Sequence, residues 1–433
     1  MDSVLDITLL CKVVDNFGDI GVVYRLARAL TDISKGGESL PLVGTSLPPT
    51  PSAGDDSSPA TPPKLNLRII ADNLESFRLL CPQIDPKKEE QTVNGWQIYN
   101  WNAGITCLNA FRKNQPRIII ECFQCGRPDW LETLLFTEKV PDVVHIIMLD
   151  YLTAEDYAET FHKLKSLTRS ARVQKVNFMP GFTKKTGGLI LDKPFMESLN
   201  ARGCRIDSKS IAAGVRAECT NGGSPSAESK ESFNAVFFSY PRDWTPAVRA
   251  LQKFNKEKAN GALNVLLARG AGYESFLNAY KSVAAAKEPG GKTLFTLTEL
   301  NFLPQTEWDS LLTRTPLLFI RGEDSLSRAC LCGVPFVWHA YPQTEEYQLV
   351  KVQALLERMR PHFAPHDFAF VERCWQVYNT TNASARDLED SLYAFLRAYS
   401  DLKPGFADFS ASLLKNGDLA QNLLEFIQVQ TTG

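Results

Sequence analysis

Two aspartates stand together near the start of the chain, within the stretch from Lys12 to Leu30. Asp15 and Asp19 lie in a polar break after an apolar, β-branched run from Ile7 to Val14, and apolar residues then recur at helical spacing. The pattern predicts a strand, an acidic loop and a helix. Open α/β sheets bind ligands beyond the carboxyl ends of their strands, where paired carboxylates can orient a substrate or accept a proton.

Glycines flank this acidic loop. Gly18 and Gly21 lack a Cβ atom, which lets another molecule approach the backbone closely. A purely structural explanation is also open, in which Asp19 caps the helix and Asp15 forms an Asx turn.

A second acidic loop, Arg321-Gly-Glu-Asp-Ser325, repeats the order of strand, loop and helix. Asp324 or Ser325 at a helix start would leave backbone N–H groups to hold a phosphate, and Arg321 is suited to bidentate phosphate contact. Glu323 would disfavour a pure phosphate site, so it indicates a sugar or a cation beside the phosphate. The structural alternative is a capped helix with Arg321 paired to a nearby carboxylate.

Other side chains near this loop could complete a nucleotide site. Phe302 could stack on a base and Gln305 could bind a base edge, although a phenylalanine such as Phe302, taken singly, is more often a core residue than a base platform. His339, Tyr341 and Gln343 follow the next strand and could line the same crevice.

The elements around these loops predict two α/β domains in the chain of 433 residues. Two series of alternating strands and helices are present, the second opening at Ala235, and we infer a cleft between them. Helical patterns include Thr153 to Lys165 in the first series and Leu413 to Ile427 near the end. The predicted bounds are 1–180 for the first domain (with a polar surface loop at about 36–63), 181–234 for a linker and surface excursion, 235–395 for the second domain and 396–433 for helices returning toward the first.

Composition narrows the function classes. The chain has 47 basic and 49 acidic side chains, so nothing predicts a nucleic-acid groove or a polybasic membrane surface. No basic n-region precedes the first apolar run, and no apolar stretch approaches the roughly 20 residues that a membrane span needs. We therefore expect a cytoplasmic enzyme or binding protein.

Three further motifs give only weak evidence of a function. The ten cysteines include Cys122-x-x-Cys125 and Cys330-x-Cys332, but the spacing of a zinc site is missing, so we expect reduced core residues and no metal. Gly181 to Leu189 misses the P-loop order. The basic segment Lys163 to Lys175 is either a solvated loop or a surface for an acidic protein.

An acidic loop in one Rossmann-like half and a phosphate seat in the other is the layout of two-domain nucleotide-sugar glycosyltransferases. We find no Asp-x-Asp motif after a strand, which favours stabilisation of the leaving diphosphate by arginine and backbone amides rather than by a metal.

Four motifs stand in one order along nearly the whole chain: Lys12–Gly21, Gly181–Gly188, Phe302–Gln305 and Arg321–Ser325. Together they resemble those of the EarP family, bacterial protein-arginine rhamnosyltransferases that modify translation elongation factor P (EF-P). The chain departs from the family pattern in two ways. The loops at Gly36–Pro63 and Arg202–Glu231 are longer than usual, and Leu149-Asp-Tyr stands where Leu-Glu-Tyr is commoner.

The resemblance implies a GT-B fold, with two facing Rossmann-like domains, a cleft between them and a C-terminal helix that crosses back to the first domain. It implies inverting, metal-independent transfer of L-rhamnose from TDP-β-L-rhamnose to one arginine of EF-P, which activates that factor against ribosome stalling at polyproline. Asp19 would be the general base or the activator of the acceptor guanidinium, with Asp15 and Glu323 as essential supporting carboxylates. Six residues would hold the TDP moiety: Tyr240, Phe302, Gln305, Arg321, Asp324 and Ser325.

Two other functions fit the same sequence. One is a GT-B enzyme with a different nucleotide sugar or a small acceptor. The other is a non-catalytic nucleotide-sugar-binding protein. Asp15, Asp19 and Glu323 together argue against this second function, because binding of the sugar donor alone would not require all three carboxylates.

Overall fold

The computed structural model describes residues 4–14, 18–36, 64–138, 142–201, 233–257, 262–286 and 295–432. The chain forms two compact units, the first comprising Met1–Asn200 with Asn416–Gly433 and the second comprising Ala201–Lys415. Asp15 and both long loops, apart from Gly36, lie outside the described residues. No helix within those ranges is long and apolar enough to cross a membrane.

The first unit is built on an eight-stranded sheet. Its strands are β1 (Val4–Cys11), β2 (Lys64–Ala71), β3 (Glu90–Val93), β4 (Trp96–Asn100), β5 (Ile118–Cys122), β6 (Val144–Leu149), β7 (Lys165–Ser166) and β8 (Val173–Phe178). Their order is β3-β4-β2-β1-β5-β6-β8-β7, and only the outer strands β3 and β7 run antiparallel to their neighbours. Every residue of β5 is buried, which is typical of a parallel strand covered on both faces.

Helices cover both faces of this sheet. They are α1 (Gly18–Ser34), α2 (Leu74–Leu80), α3 (Gly104–Lys113), α4 (Asp129–Phe136), α5 (Tyr157–Phe161), α6 (Lys193–Asn200) and, near the end of the chain, α15 (Leu419–Thr432). Leu26 of α1 and Leu423 of α15 belong to the buried cluster on one face. Phe111 of α3 and Leu131 of α4 belong to the cluster on the other face.

The strand order of the first sheet reverses beside β1. The chain runs from β1 through β2 to β4 on one side, and from β5 through β6 to β8 on the other. The loops after β1 and β5 therefore diverge at the carboxyl edge of the sheet, and such a switch point is where open α/β sheets bind ligands.

The second unit has a wholly parallel five-stranded sheet in the order β11-β10-β9-β12-β13. Its strands are β9 (Phe233–Phe237), β10 (Leu263–Leu267), β11 (Thr296–Glu299), β12 (Leu317–Arg321) and β13 (Phe336–His339). The helices are α7 (Thr245–Glu257), α8 (Tyr273–Ala285), α9 (Gln305–Arg314), α10 (Glu323–Cys332), α11 (Gln348–Met359), α12 (Pro365–Asn379), α13 (Ala385–Arg397) and α14 (Tyr399–Leu414). The switch point here lies between β9 and β12. The two predicted α/β series are thus confirmed.

The bounds of the units differ from the predicted domain bounds. Residues 181–200, expected in a linker, belong to the first unit. They are anchored there because the fully buried Arg25 of α1 donates to Asp192 at 3.2 and 3.4 Å. Residues 396–415, expected to return toward the first domain, belong to the second unit, where α14 packs on α10. The later helix of this predicted segment, α15, does belong to the first unit and packs against α1.

The predicted helix Thr153–Lys165 is wrong in length, because α5 spans only Tyr157–Phe161. Thr153 Oγ1 accepts a hydrogen bond from the backbone N–H of Glu155, which forms a local turn instead of a helix start. After α5, Lys163 has a φ of 64° and its N–H donates to the carbonyl of Asn177 at 2.8 Å, so the chain turns into the pairing of β7 with β8.

The predicted helix Leu413–Ile427 is also wrong, because it joins two separate helices. The first, α14, ends at Leu414 and the second, α15, begins at Leu419. Between them Gly417 adopts a φ of 85°, a left-handed conformation that ends the helical path and that glycine tolerates best. The sequence analysis also missed β3, α3, α6 and β8.

Candidate active site

Asp19 lies in the first turn of α1, after the carboxyl end of β1, and is only 3% exposed. The backbone N–H of Val14 donates to its Oδ2 at 2.7 Å, and the hydroxyl of Tyr151 donates to its Oδ1 at 3.2 Å. Both carboxylate oxygens are therefore anchored by groups outside α1. The second predicted aspartate of this loop, Asp15, lies outside the described residues.

Tyr151 is a residue that sequence reasoning did not assign to the site. It follows β6, and its ring stacks on that of Phe123, which follows β5, with centroids 4.9 Å apart. The signals in the sequence were its place two residues after an apolar run and the Leu149-Asp-Tyr segment to which it belongs. The segments after β1 and β6 thus meet at the Asp19 carboxylate, and the loop after β5 supports the Tyr151 ring.

The thiols of Cys11 and Cys122, whose pKa values are raised by burial first and also by the charge of Asp19, are buried and protonated. Burial, and next the charge of Asp19, raises the pKa of Cys11 well above its usual value. Burial also raises the pKa of Cys125 to about 12. Every cysteine in the described ranges is a free thiol, as predicted for reduced core residues. No group of three or more His, Cys, Asp and Glu side chains in those ranges could hold a metal ion.

Arg321 ends β12 at the switch point of the second sheet. Its guanidinium carbon lies 4.5 Å from the ring centroid of Phe238 and 4.7 Å from that of Tyr240, both of which follow β9. Its Nε is buried and has no hydrogen-bond partner among the described residues. No ion pair of the described residues includes Arg321, so the alternative in which it pairs with a neighbouring carboxylate is wrong within those residues.

The turn after Arg321 presents the start of α10. Gly322 has a φ of 74° and a ψ of 159°, and no side chain caps the helix at this position. Glu323 is the first residue of α10, so the acidic loop leads directly into the helix. The backbone N–H groups of the first turn are the kind that bind anions at helix starts.

Two other glycines allow the neighbouring loop to pack closely. A Cβ on Gly272 would lie 2.3 Å from the carbonyl oxygen of Ser239, and a Cβ on Gly270 would lie 2.7 Å from the Phe238 ring and 3.3 Å from Arg321 Nη2. In the sequence, Gly270-Ala-Gly272 after a strand resembles a dinucleotide-binding loop only weakly, because Ser275 stands where the third glycine should be. The close packing accounts for this glycine pair.

Contacts within the second unit join several residues that were predicted to bind the TDP moiety. Gln305 Nε2 donates to Asp324 Oδ2 at 3.5 Å. Trp308 Nε1 donates to Ser325 Oγ at 3.2 Å, and the Trp308 ring contacts Phe238 edge to face at 5.3 Å. Trp308 was missed because only its place one helical turn after Gln305 marks it in the sequence.

His339 ends β13, the strand next to β12 in the second sheet. Its Nδ1 accepts a hydrogen bond from the backbone N–H of Tyr240 at 3.1 Å. Burial, and next the charges of Arg242 and Arg321, lowers the pKa of His339 to about 3. A neutral ring is what this bond requires, because only an unprotonated Nδ1 can accept it.

The two remaining aromatic candidates are accessible. Phe302 is 50% exposed, in the segment between β11 and α9, so the core alternative for it is wrong. Tyr341 is 62% exposed, and its ring contacts Tyr240 edge to face at 5.3 Å. The structure therefore brings Tyr240, Arg321 and Tyr341 together at one edge of the second unit, while Asp19 belongs to the first.

Comparisons with known proteins give consistent results. The model of a family described as "Elongation-Factor P (EF-P) rhamnosyltransferase EarP" matches residues 7–37 and 60–428. The chain is 29% identical over 363 residues to a protein-arginine rhamnosyltransferase of Shewanella oneidensis, covering 82% of this chain and 81% of that protein. It is 25% identical over 434 residues to a protein-arginine rhamnosyltransferase of Neisseria meningitidis serogroup B, covering 97% and 96%.

Solved structures match in fold. A structure described as "Structural basis for EarP-mediated arginine glycosylation of translation elongation factor EF-P" has a TM-score of 0.52 at 19% identity over 98% of each chain. A UDP-GlcNAc 2-epimerase from Neisseria meningitidis bound to UDP-GlcNAc has a TM-score of 0.53 at 8% identity, over 98% of this chain and 100% of that one. The predicted α/β fold of the GT-B type, with two Rossmann-like units and a helical C-terminal segment, is confirmed. Since the family model matches most of its length, this chain belongs to the EarP family of EF-P rhamnosyltransferases.

Proposed function

We propose that this protein transfers L-rhamnose from TDP-β-L-rhamnose to an arginine side chain of EF-P, with inversion and without a metal. The observation that carries the proposal is the guanidinium of Arg321, which lies on two aromatic rings at a switch point and has no carboxylate partner among the described residues. Family membership supports the transferase class. EF-P is the acceptor named for a similar structure.

In the proposed donor complex, Arg321 and the first turn of α10 hold the diphosphate. A planar guanidinium forms bidentate hydrogen bonds with phosphate oxygens, and the backbone N–H groups of a helix start add further donors. Trp308 already donates to Ser325 Oγ, so the Ser325 hydroxyl hydrogen can be donated to a phosphate oxygen. These donors would stabilise the negative charge that develops on the leaving TDP.

The proposed base site uses the accessible aromatic rings. Phe302, half exposed, would stack on the thymine, and Gln305 would bind its edge. Tyr240 is only 6% exposed and supports Arg321, so in this proposal it acts on the donor mainly through that guanidinium.

The proposed acceptor chemistry depends on carboxylates. Arginine is protonated, with a pKa above about 12, and its nitrogen lone pairs are delocalised, so it is a poor nucleophile. Asp19, with Asp15 and Glu323 in support, would grip different N–H groups and direct one nitrogen at the anomeric carbon. The C–N bond forms as the C–O bond to TDP breaks, the electron pair leaves with the TDP oxygen, and Asp19 accepts the proton. A single displacement of this kind inverts the anomeric centre.

Incubation of the protein with TDP-rhamnose and EF-P tests this function. We expect mass spectrometry to find one deoxyhexose on a single arginine, NMR to find the opposite anomeric configuration from the donor, and EDTA to leave the rate unchanged. Transfer from UDP-GlcNAc instead, or onto a small amine, would favour the alternative GT-B function. Tight TDP binding with no transfer to EF-P would favour the non-catalytic alternative. Because the proposed acceptor is a translation factor, we place the activity in the cytoplasm.

A further inference from the structure

The carboxylate of Asp19 is held in a fixed plane by two donors from different loops. Val14 N–H binds Oδ2 at 2.7 Å and belongs to the segment after β1. The Tyr151 hydroxyl binds Oδ1 at 3.2 Å and belongs to the segment after β6. With one oxygen anchored on each side, rotation about the Cβ–Cγ bond of Asp19 breaks a hydrogen bond, so the direction in which the carboxylate faces depends on Tyr151.

Tyr151 is itself held by the loop after β5. Its ring stacks on Phe123 with an interplanar angle of 27°. Its backbone N–H donates to Asp150 Oδ1 at 2.8 Å, and the same carboxylate accepts Gln124 Nε2 at 3.0 and 3.2 Å. The backbone N–H of Phe123 donates to the carbonyl of Leu149 at 2.7 Å. The ring stack, the hydrogen bonds of Gln124 with Asp150 and the hydrogen bond of Phe123 with Leu149 thus tie the two loops together at the position of the Tyr151 ring.

The loop after β5 adopts an unusual backbone to make these contacts. Phe123 and Gln124 have φ values of 56° and 53°, a left-handed conformation that is unfavourable for both residue types. Two such residues in succession persist only where surrounding contacts over-determine them, and residues of this kind concentrate at functional sites. Here they stand at the switch point of the first sheet, where Phe123 contacts the tyrosine that binds Asp19.

We propose that Tyr151, supported by Phe123, is a positioning residue that orients the Asp19 carboxylate toward the acceptor guanidinium. This inference rests on the proposed role of Asp19 as general base. Tyr151 does not exchange a proton in the reaction, because its hydroxyl serves as a donor to Oδ1. Its contribution is geometric, and misplacement of a reacting group by about 1 Å can cost about 100-fold in rate.

The test is the variant Tyr151→Phe, which retains the ring and its stack on Phe123 and removes the hydroxyl. We expect kcat for transfer to EF-P to fall roughly 10- to 100-fold. The Kd for TDP, measured by calorimetry, should stay within about twofold, because the proposed donor seat belongs to the second unit. The matched control is Tyr280→Phe, which removes a hydroxyl that donates to the carbonyl of Phe295 at 2.7 Å in the second unit and should leave kcat unchanged.

A double-mutant cycle separates positioning from a general structural effect. If Tyr151 acts through Asp19, then Tyr151→Phe changes the transfer rate less than about twofold in an Asp19→Asn background, because no base remains to be oriented. Single-turnover reactions with excess enzyme, followed by mass spectrometry over hours, measure the slow variants. Phe123→Leu, which removes the stack and keeps the hydroxyl, should lower kcat less than Tyr151→Phe does.

Failure of the positioning role and failure of the proposed function give different results. Normal kcat in Tyr151→Phe, or an equal loss in the Asp19→Asn background, overturns the positioning role and leaves the proposed function intact. Absence of transfer by the unmodified protein with TDP-rhamnose and EF-P overturns the proposed function, and the positioning role with it.

Discussion

Removal of the Arg321 guanidinium should weaken TDP binding by about 30-fold. Hydrogen bonds to a charged group contribute about 1.5–3 kcal/mol each, and bidentate phosphate contact uses two of them. Arg321 is partly exposed, so solvent screens part of this energy. We therefore expect a loss of about 2 kcal/mol in Arg321→Ala, which is about 30-fold in Kd.

The structure supports a larger loss of TDP binding free energy for the removal of Arg321 than for the removal of an ordinary surface arginine. No ion pair among the described residues includes Arg321, so binding the diphosphate does not require an existing pair to break. The Phe238 and Tyr240 rings also hold the guanidinium in place, which reduces the side-chain entropy lost when TDP binds. Arg321→Lys retains the charge but loses the planar fork, and we expect an intermediate affinity.

Calorimetric titration of TDP into each variant is the assay, with thermal unfolding as a check on the fold. Arg360→Ala is the matched control. Arg360 also lies on an aromatic ring, 4.6 Å from Phe368, but it is paired with Glu372, so its removal should leave the TDP Kd within about twofold. A folded Arg321→Ala protein that binds TDP as tightly as the parent would refute the proposed phosphate seat.

Three other predictions follow from the same contacts. Asp19→Asn should lower transfer about 100- to 10,000-fold, by mass spectrometry, with the TDP Kd within about twofold; normal transfer would contradict its role as base. Glu323→Gln should lower turnover while leaving TDP affinity equal or tighter, because it removes a negative charge near the proposed diphosphate; weaker TDP binding would contradict this. His339 has a folded pKa of about 3, below the unfolded value near 6.5, so the unfolded chain binds the extra proton and acid favours unfolding. Chemical denaturation should detect about 2 kcal/mol lost from this group between pH 6.5 and 5, and His339→Gln should remove that part of the pH dependence.

The alternation of strands and helices was predictable because buried parallel strands appear in the sequence as short apolar runs. The sequence predicts a short helix at Leu74–Leu80, and α2 has these bounds. Its start is fixed by Asn73, whose side chain accepts a hydrogen bond from the backbone N–H of Ser76. Helix α3 was missed because no side chain caps its start and because Ile105, in its first turn, is 82% exposed. Local signals thus identify an element only where capping and burial agree.

The candidate site was predictable where one loop carries it and unpredictable where two loops meet. Arg321 and Ser325 follow a single strand, so the sequence alone places them at a strand end. The contact of Tyr151 with Asp19 joins residues 132 positions apart and exists because β6 lies next to β5, and β5 next to β1. The contact of Trp308 with Ser325 likewise depends on the packing of α9 against α10. Strand order and helix packing are set by the whole sheet, and no local pattern encodes them.

The way each unit holds its charged group fits the division of work that the proposed reaction needs. A cation that is to bind a diphosphate is of most use when no carboxylate neutralises it beforehand, and a base is of most use when no arginine pairs with it. Aromatic rings hold Arg321 through its face without cancelling its charge, although Glu323 and Asp324 follow within three residues. Two of the groups that hold Asp19, the backbone N–H of Val14 and the hydroxyl of Tyr151, are likewise uncharged. The charge of Arg321 is thus oriented by neutral rings, so that its strongest electrostatic interaction remains for a substrate group of opposite sign.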